Sequence, residues 1–285
     1  MALMIWIINH HPYLFIMSGN NFAEEQLGCL QTLALIIGFI CTEMAAADVW
    51  WVPSESEMLF NSESAPEGFA AIYRNMGPSQ AIFFNLHAHC LEGAEDTNLL
   101  GVQVGFTKNI RKVHTKLALG VGTVTNIKGH TILGDDVDPR GNSIETVKTG
   151  HVYRFGYDPL SVSGTFDWEL GRRAVGAWFD LVQNLGLGAG NRAYTVGVTY
   201  GSVDKIRGLE LGYFFRRVEK DAVLSILADP DFGNGNSDSL GSGLRVRYSL
   251  MERAWLSLAV YDNEYNLEGD RIRYHFTAAD LTLEF

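Results

Sequence analysis

The chain has 285 residues, with 22 basic and 33 acidic side chains, a net charge of −11 and a mean hydropathy of +0.02. An acidic chain without a basic stripe repels phosphates, which excludes nucleic-acid binding, and the near-zero hydropathy excludes a protein that is a bundle of membrane helices throughout. Aromatics at 12%, 30 glycines and only 7 prolines fit long strands joined by many turns.

In chain order, the first element is apolar. Residues 1–47 hold no Lys or Arg, and the run Leu27 to Cys41 (LGCLQTLALIIGFIC) precedes Ala45-Ala46-Ala47 and Asp48. An apolar stretch of this length ending in an A-x-A site predicts a cleaved export signal over residues 1–47, cut after Ala47; the run is short for a membrane span of roughly 20 residues. The basic residues usual at the start of such a signal are missing, and Met17 is an alternative start. Cys29 and Cys41 fall in this segment, so Cys90 is left with no intramolecular disulfide partner and no zinc-type cysteine spacing exists. Residues 48–65 read as a leader inside or below the domain that follows.

From residue 66 to 285 the pattern is period two. Leu100, Val102, Val104 and Phe106 alternate with Gly101, Gln103 and Gly105; Val196, Val198 and Tyr200 with Thr195, Gly197 and Thr199; Leu244, Val246, Tyr248 and Leu250 with Arg245, Arg247 and Ser249. Period two puts each apolar set on one face of a strand. The runs are about ten residues long, the length that crosses a bilayer when tilted, whereas soluble strands average nearer six. Charges occupy the other face in mid-strand: Lys116, Asp167, Glu169, Asp180, Glu210, Arg216, Arg245 and Arg247. A dry core rejects unpaired charges and a water-filled lumen accepts them. The chain ends on an alternating strand at Phe285. Turns are expected at Lys108-Asn109, 202–205 and 251–253, and longer loops at 126–149, 186–192, 229–241 and 262–271, with a short helix or capping turn at 220–227. These features predict an all-β fold, a transmembrane antiparallel up-and-down β-barrel of about twelve strands (range about 10–14), with the eight charged residues lining its pore.

The stretch Leu209 to Gly241, LELGYFFRRVEKDAVLSILADPDFGNGNSDSLG, carries an aromatic-Arg pair (Phe215-Arg216), an acidic-Ala-Val turn (Asp221-Ala222-Val223) and an Asp-x-Asp-Phe-Gly loop (Asp229 to Gly233). In these features, and in the hairpin of Phe179–Asn184 and Ala193–Gly201, it resembles a bacterial outer-membrane porin family. It departs from that pattern at Pro230 and Asn236, where Ser and Gly are expected. The resemblance covers about 110 residues. It implies an outer-membrane location, passive diffusion of small hydrophilic solutes or ions, lipids and the barrel-assembly machinery as partners, and Phe285 as the assembly signal. Homo-oligomerisation is left open. The alternative is a plugged barrel with a structural or adhesive role.

Other motifs carry less. His87 and His89 share a strand face, but a metal site needs a third and fourth ligand. A calcium loop starting at Asp229 would need Glu where Leu240 stands, and one starting at Asp136 would need it where Val147 stands. No nucleophile elbow, dinucleotide fingerprint or phosphate loop is present, so neither an enzyme nor a cofactor is expected.

Overall fold

In the computed structural model the described residues are 16–18, 58–59, 68–76, 80–91, 97–133, 138–148, 150–171 and 173–283. The fold is all-β. The apolar run 27–41, the Ala45–Ala47 site and Phe285 lie outside the described residues.

Among the described residues fourteen strands occur in chain order: β1 (Ile16–Ser18), β2 (Gly68–Met76), β3 (Gln80–Cys90), β4 (Asn98–Ile110), β5 (Val113–Val124), β6 (Ile144–Val147), β7 (Gly150–Tyr153), β8 (Pro159–Leu170), β9 (Arg173–Asn184), β10 (Arg192–Gly201), β11 (Leu209–Val218), β12 (Ser239–Met251), β13 (Ala254–Tyr265) and β14 (Ile272–Leu283). Twelve of them form one antiparallel sheet in which every strand pairs with its chain neighbour, apart from β5, which pairs with β8 across an inserted β6–β7 hairpin. The three-residue β1, which pairs with β2, lies within the segment assigned to an export signal. Among the described residues no helix is long and apolar enough to cross a membrane.

The connections at 111–112, 171–172 and 252–253 have two residues, and 202–208, with seven, closes the same end; 125–158 and 219–238, with 34 and 20, and the shorter 185–191 and 266–271 close the other. Arg111, Gly171 and Arg253 take positive φ in the tight turns (59°, 67° and 59°), the left-handed geometry that matches the twist of paired strands.

The loop expected over 126–149 holds strand β6 and the turn expected at 202–205 runs on to 208, and three strand ends also differ from the sequence expectation. The turn expected at Lys108-Asn109 lies at 111–112, because both residues still pair in β4 with β5. Strand β13 runs on through Asp262, Asn263 and Glu264 to Tyr265, so the loop expected from 262 is confined to 266–271. Strand β12 already begins at Ser239, which shortens the loop expected to reach 241. At these three strand ends polar residues imitate a turn. The short element expected near 220–227 is a 3-10 turn at Ser225–Leu227.

Register keeps the two faces separate from strand to strand. Phe166, Ala177, Val198, Tyr213, Leu244 and Val260 are successive cross-strand partners on one face, and Asp180, Thr195, Arg216, Gly241 and Asn263 on the other. Exposure is inverted relative to a water-soluble sheet. Val198, Tyr213, Leu244 and Val260 are 54%, 51%, 47% and 42% exposed, while Asp180, Thr195, Arg216 and Asn263 are 4%, 0%, 4% and 2% exposed.

Candidate functional site

The polar face places all eight charged candidates on one side of the sheet. Antiparallel partners keep them together: Lys116 opposes Thr165, Asp167 opposes Gly176, Glu169 opposes Ala174, Asp180 opposes Thr195, and Glu210 opposes Arg247. Arg216 and Arg245 fall on the same face of β11 and β12.

Their partners lie on neighbouring strands and loops. Arg247 Nε and Nη2 donate to Oε1 of Glu210 on the adjacent strand, at 2.9 and 2.6 Å. Arg245 Nη2 donates to the Tyr261 hydroxyl at 3.3 Å. Arg216 is buried: Nη1 pairs with Asp229 Oδ2 at 2.9 Å, Nε donates to Thr195 Oγ1 at 3.1 Å, and the guanidinium lies against the adjacent rings of Phe214 and Phe232, at 5.4 and 5.0 Å from their centroids. Delocalised and weakly hydrated, a guanidinium tolerates this aromatic contact better than an ammonium does. Asp180 accepts the Met58 backbone N–H at 3.4 Å. Met58 is buried against Val182, Ala193 and Val218, so at least this part of the leader lies on the polar face. Asp167 and Glu169 are exposed near the short-turn end.

Sequence reasoning missed a set of ring-on-glycine pairs. A Cβ at Gly105 would lie 2.1 Å from Phe83 Cζ, at Gly197 2.5 Å from Trp178 Nε1, and at Gly243 2.3 Å from Phe214 Cε1. Each large ring therefore lies flat across the neighbouring strand, and only glycine leaves room for it. Trp178, Phe214, Tyr261 and Phe276 continue as ring neighbours at 6.3, 5.3 and 5.5 Å. The signal is present in the sequence as glycines alternating with aromatics, but it is readable only once register is known.

The long connections fold over the same face. Leu91, Leu99, Val124, Ile127, Leu133, Tyr153, Tyr157, Leu224 and Leu227 make an apolar cluster at that end. Asn142 ties it together: Nδ2 donates to the carbonyls of Lys220 and Val223, both at 2.9 Å, and Oδ1 accepts the Ser225 N–H at 2.9 Å. Asp221 accepts Ser143 N–H, Ser143 hydroxyl and Tyr157 hydroxyl at 2.8, 2.7 and 3.1 Å. Burial, then the Asp221 carboxylate, pushes the Tyr157 phenol well above its usual range, so it remains a donor. Loop 219–238 descends onto the polar face through Asp229 and Phe232, and Asn263 Oδ1 accepts the Gly233 N–H at 3.1 Å.

His87 and His89 stack with ring centroids 5.5 Å apart. Among the described residues no group of three or more His, Cys, Asp or Glu is placed to hold a metal ion. Asp229 is committed to Arg216 and to the Asp231 N–H, while Asp136 lies outside the described residues. A cleft of about 270 Å³ opens beside Lys116, Ser163, Thr165, Trp178 and Asp180.

No protein-family model matches this chain, and no curated protein matches it.

Proposed function

We propose that the chain is an outer-membrane porin-like channel for passive diffusion of small hydrophilic solutes or ions. In this reading residues 1–47 are an export signal, 48–65 a leader and 66–285 a closed transmembrane β-barrel. The observation that carries it is the inverted sheet: an exposed apolar row of Val198, Tyr213, Leu244 and Val260 backed by a polar row of Asp180, Thr195, Arg216 and Asn263. Water does not favour that arrangement, and a bilayer outside with water inside does. Three two-residue turns at one end and the 34- and 20-residue connections at the other add support, since such barrels have short periplasmic turns and longer external loops. The eight charged residues then line the lumen. Lipids contact the apolar rows, and the assembly machinery reads the terminal strand with Phe285.

A plugged structural barrel is the second reading, favoured by the Arg216–Asp229 contact that draws loop 219–238 onto the polar face and by the burial of Met58 there. Conductance of the detergent-extracted full chain in a planar bilayer separates the two. Discrete ohmic steps are expected for the channel. A protein that migrates differently before and after boiling but gives no steps is a plugged barrel. One whose migration does not change on boiling is not a stable barrel, and the whole reading fails.

A further inference from the structure

We propose that the short-turn end of the wall is a contact surface for anionic phospholipid, with a rim of arginine and lysine side chains taking the lipid phosphates. This rests on the channel reading and names the lipid that fits around one end of it.

The rim is assembled by the antiparallel pairing, which brings the connections 111–112, 171–172, 202–208 and 252–253 to one end. By sequence they hold six basic residues and two acidic ones, whereas 125–158, 185–191, 219–238 and 266–271 at the other end hold six basic and twelve acidic ones. In a chain of net charge −11 the short-turn end is thus positive. Arg111, Lys112, Lys205, Arg207 and Arg253, with Arg173 at the start of β9, are exposed, and none forms an ion pair among the described residues. Of the two acids, Asp204 accepts the Ser202 hydroxyl. Asp167 and Glu169 are near this end but on the polar face, so the sheet stands between them and whatever covers the apolar face.

Each of these connections also sets a large exposed apolar side chain beside its cation. Ile110 precedes Arg111, Leu170 is the cross-strand partner of Arg173, Ile206 stands between Lys205 and Arg207, and Met251 is two residues before Arg253; they are 48%, 64%, 53% and 59% exposed. Ile110 and Leu170 continue the apolar rows of Phe106 and Phe166. A soluble polyanion would pair with the cations and leave the four apolar side chains in water. A phospholipid surface serves both groups. Its acyl chains take the apolar residues, and the long Arg and Lys stems carry their charges out to the phosphates. The apolar-and-cation pairing recurs at four connections instead of one spot, which fits a layer of many small headgroups better than one large ligand.

The test is electron spin resonance on the full chain refolded into phosphatidylcholine vesicles that carry a trace of acyl-labelled phosphatidylglycerol or acyl-labelled phosphatidylcholine. The fraction of label held at the protein wall gives the association constant of one lipid relative to the other. At low salt phosphatidylglycerol is expected to be favoured at least about threefold. The preference should fall close to one at about 1 M salt and in the triple variant Arg111→Asn, Lys112→Ser, Arg207→Asn, while Arg271→Ser with Arg273→Ser at the other end keeps it. Asparagine is used at 111 and 207 because both positions take positive φ. Equal association of the two lipids, or a preference kept by the triple variant, overturns the surface. So does a preference abolished by equimolar polyglutamate, which makes an acidic chain the partner. If the refolded protein migrates alike before and after boiling, the channel reading fails by itself. The rim is then judged by flotation of the detergent-refolded chain with vesicles: salt-sensitive flotation with phosphatidylglycerol but not phosphatidylcholine, lost in the triple variant, upholds it, and any other result overturns it.

Discussion

The strand wall and the loop cluster at its end follow opposite rules within one chain. On the wall, Leu244 and Val260 are exposed while Arg216 and Thr195 are buried. In the cluster, Leu224, Leu227, Ile127 and Tyr157 are buried together, and hydrogen-bonded polar groups hold them, as in a water-soluble core. One chain thus carries two opposite burial patterns, and the boundary falls at the strand ends near Leu99 and Val124. Burial alone is therefore no guide to function here; which face is buried is the informative quantity.

Several perturbations would break or sharpen that contrast. The largest effect is expected on the wall. Leu258→Arg places a cation on the apolar face at about 2–4 kcal/mol near a bilayer midplane, whereas Ser257→Arg adds one beside Asp280 on the polar face. Leu258→Arg should lose the unboiled gel form and Ser257→Arg keep it; equal behaviour would mean that the two faces are not in different solvents.

Asn142→Ala should act on the cluster alone. It strands the Lys220 and Val223 carbonyls and the Ser225 N–H, at about 2–3 kcal/mol. Limited proteolysis should cut near 220–238 several-fold faster while heat-modifiable mobility is retained. Loss of both would show that wall and cluster are one cooperative unit.

Asp229→Ala probes the seam between them. The carboxylate is partly exposed, so after screening the pair contributes about 1–2 kcal/mol. Loosening of loop 219–238 should raise conductance; an unchanged value would place that loop off the conducting path.

Smaller still is the effect of replacing both Arg245 and Arg247 by Ser. The change removes two guanidinium groups from the polar face and takes from Glu210 the partner that Arg247 provides. Reversal potentials in a salt gradient should move toward cation preference, and no movement would remove this strand from the pore wall.

The smallest effect is a null one. The Tyr157 phenol is raised by burial and by Asp221, so its stabilising hydrogen bond is fully present below the unfolded value of about 10 and is lost only as pH climbs through the higher folded value. Between about pH 9 and about pH 11.5 the phenolate absorbance of folded wild type and Tyr157→Phe should match, and the urea-unfolded proteins should differ by one tyrosine. A difference in the folded state would show the cluster open.

The wall was legible in the sequence because a two-residue period is local: the rows containing Val198 and Leu244 can be read without knowing any neighbour. The sharing of one face by all eight charged residues followed from the same period. Their pairing did not. Glu210 and Arg247 meet only through the β11–β12 register, and the ring-on-glycine pairs of Trp178 with Gly197 and Phe214 with Gly243 need the same knowledge. The cluster was least legible, because Asn142 finds its partners 78 to 95 residues away and nothing local distinguishes it from any loop asparagine.

The neighbour-to-neighbour pairing of the sheet also dictates an order of events during folding. A ribbon in which almost every strand meets the one before it can lengthen hairpin by hairpin, with little chain entropy lost at each addition. The one costly step inside the ribbon is β8 reaching β5 across 34 intervening residues, because the β6–β7 hairpin must be looped out first. The stitch made by Asn142 joins that looped-out segment to the 220–237 stretch, so it cannot form until β8 through β11 are laid down. A chain arrested before that point has its strands in register and its far end unsealed, a species that proteases would find before any assay of the finished protein could.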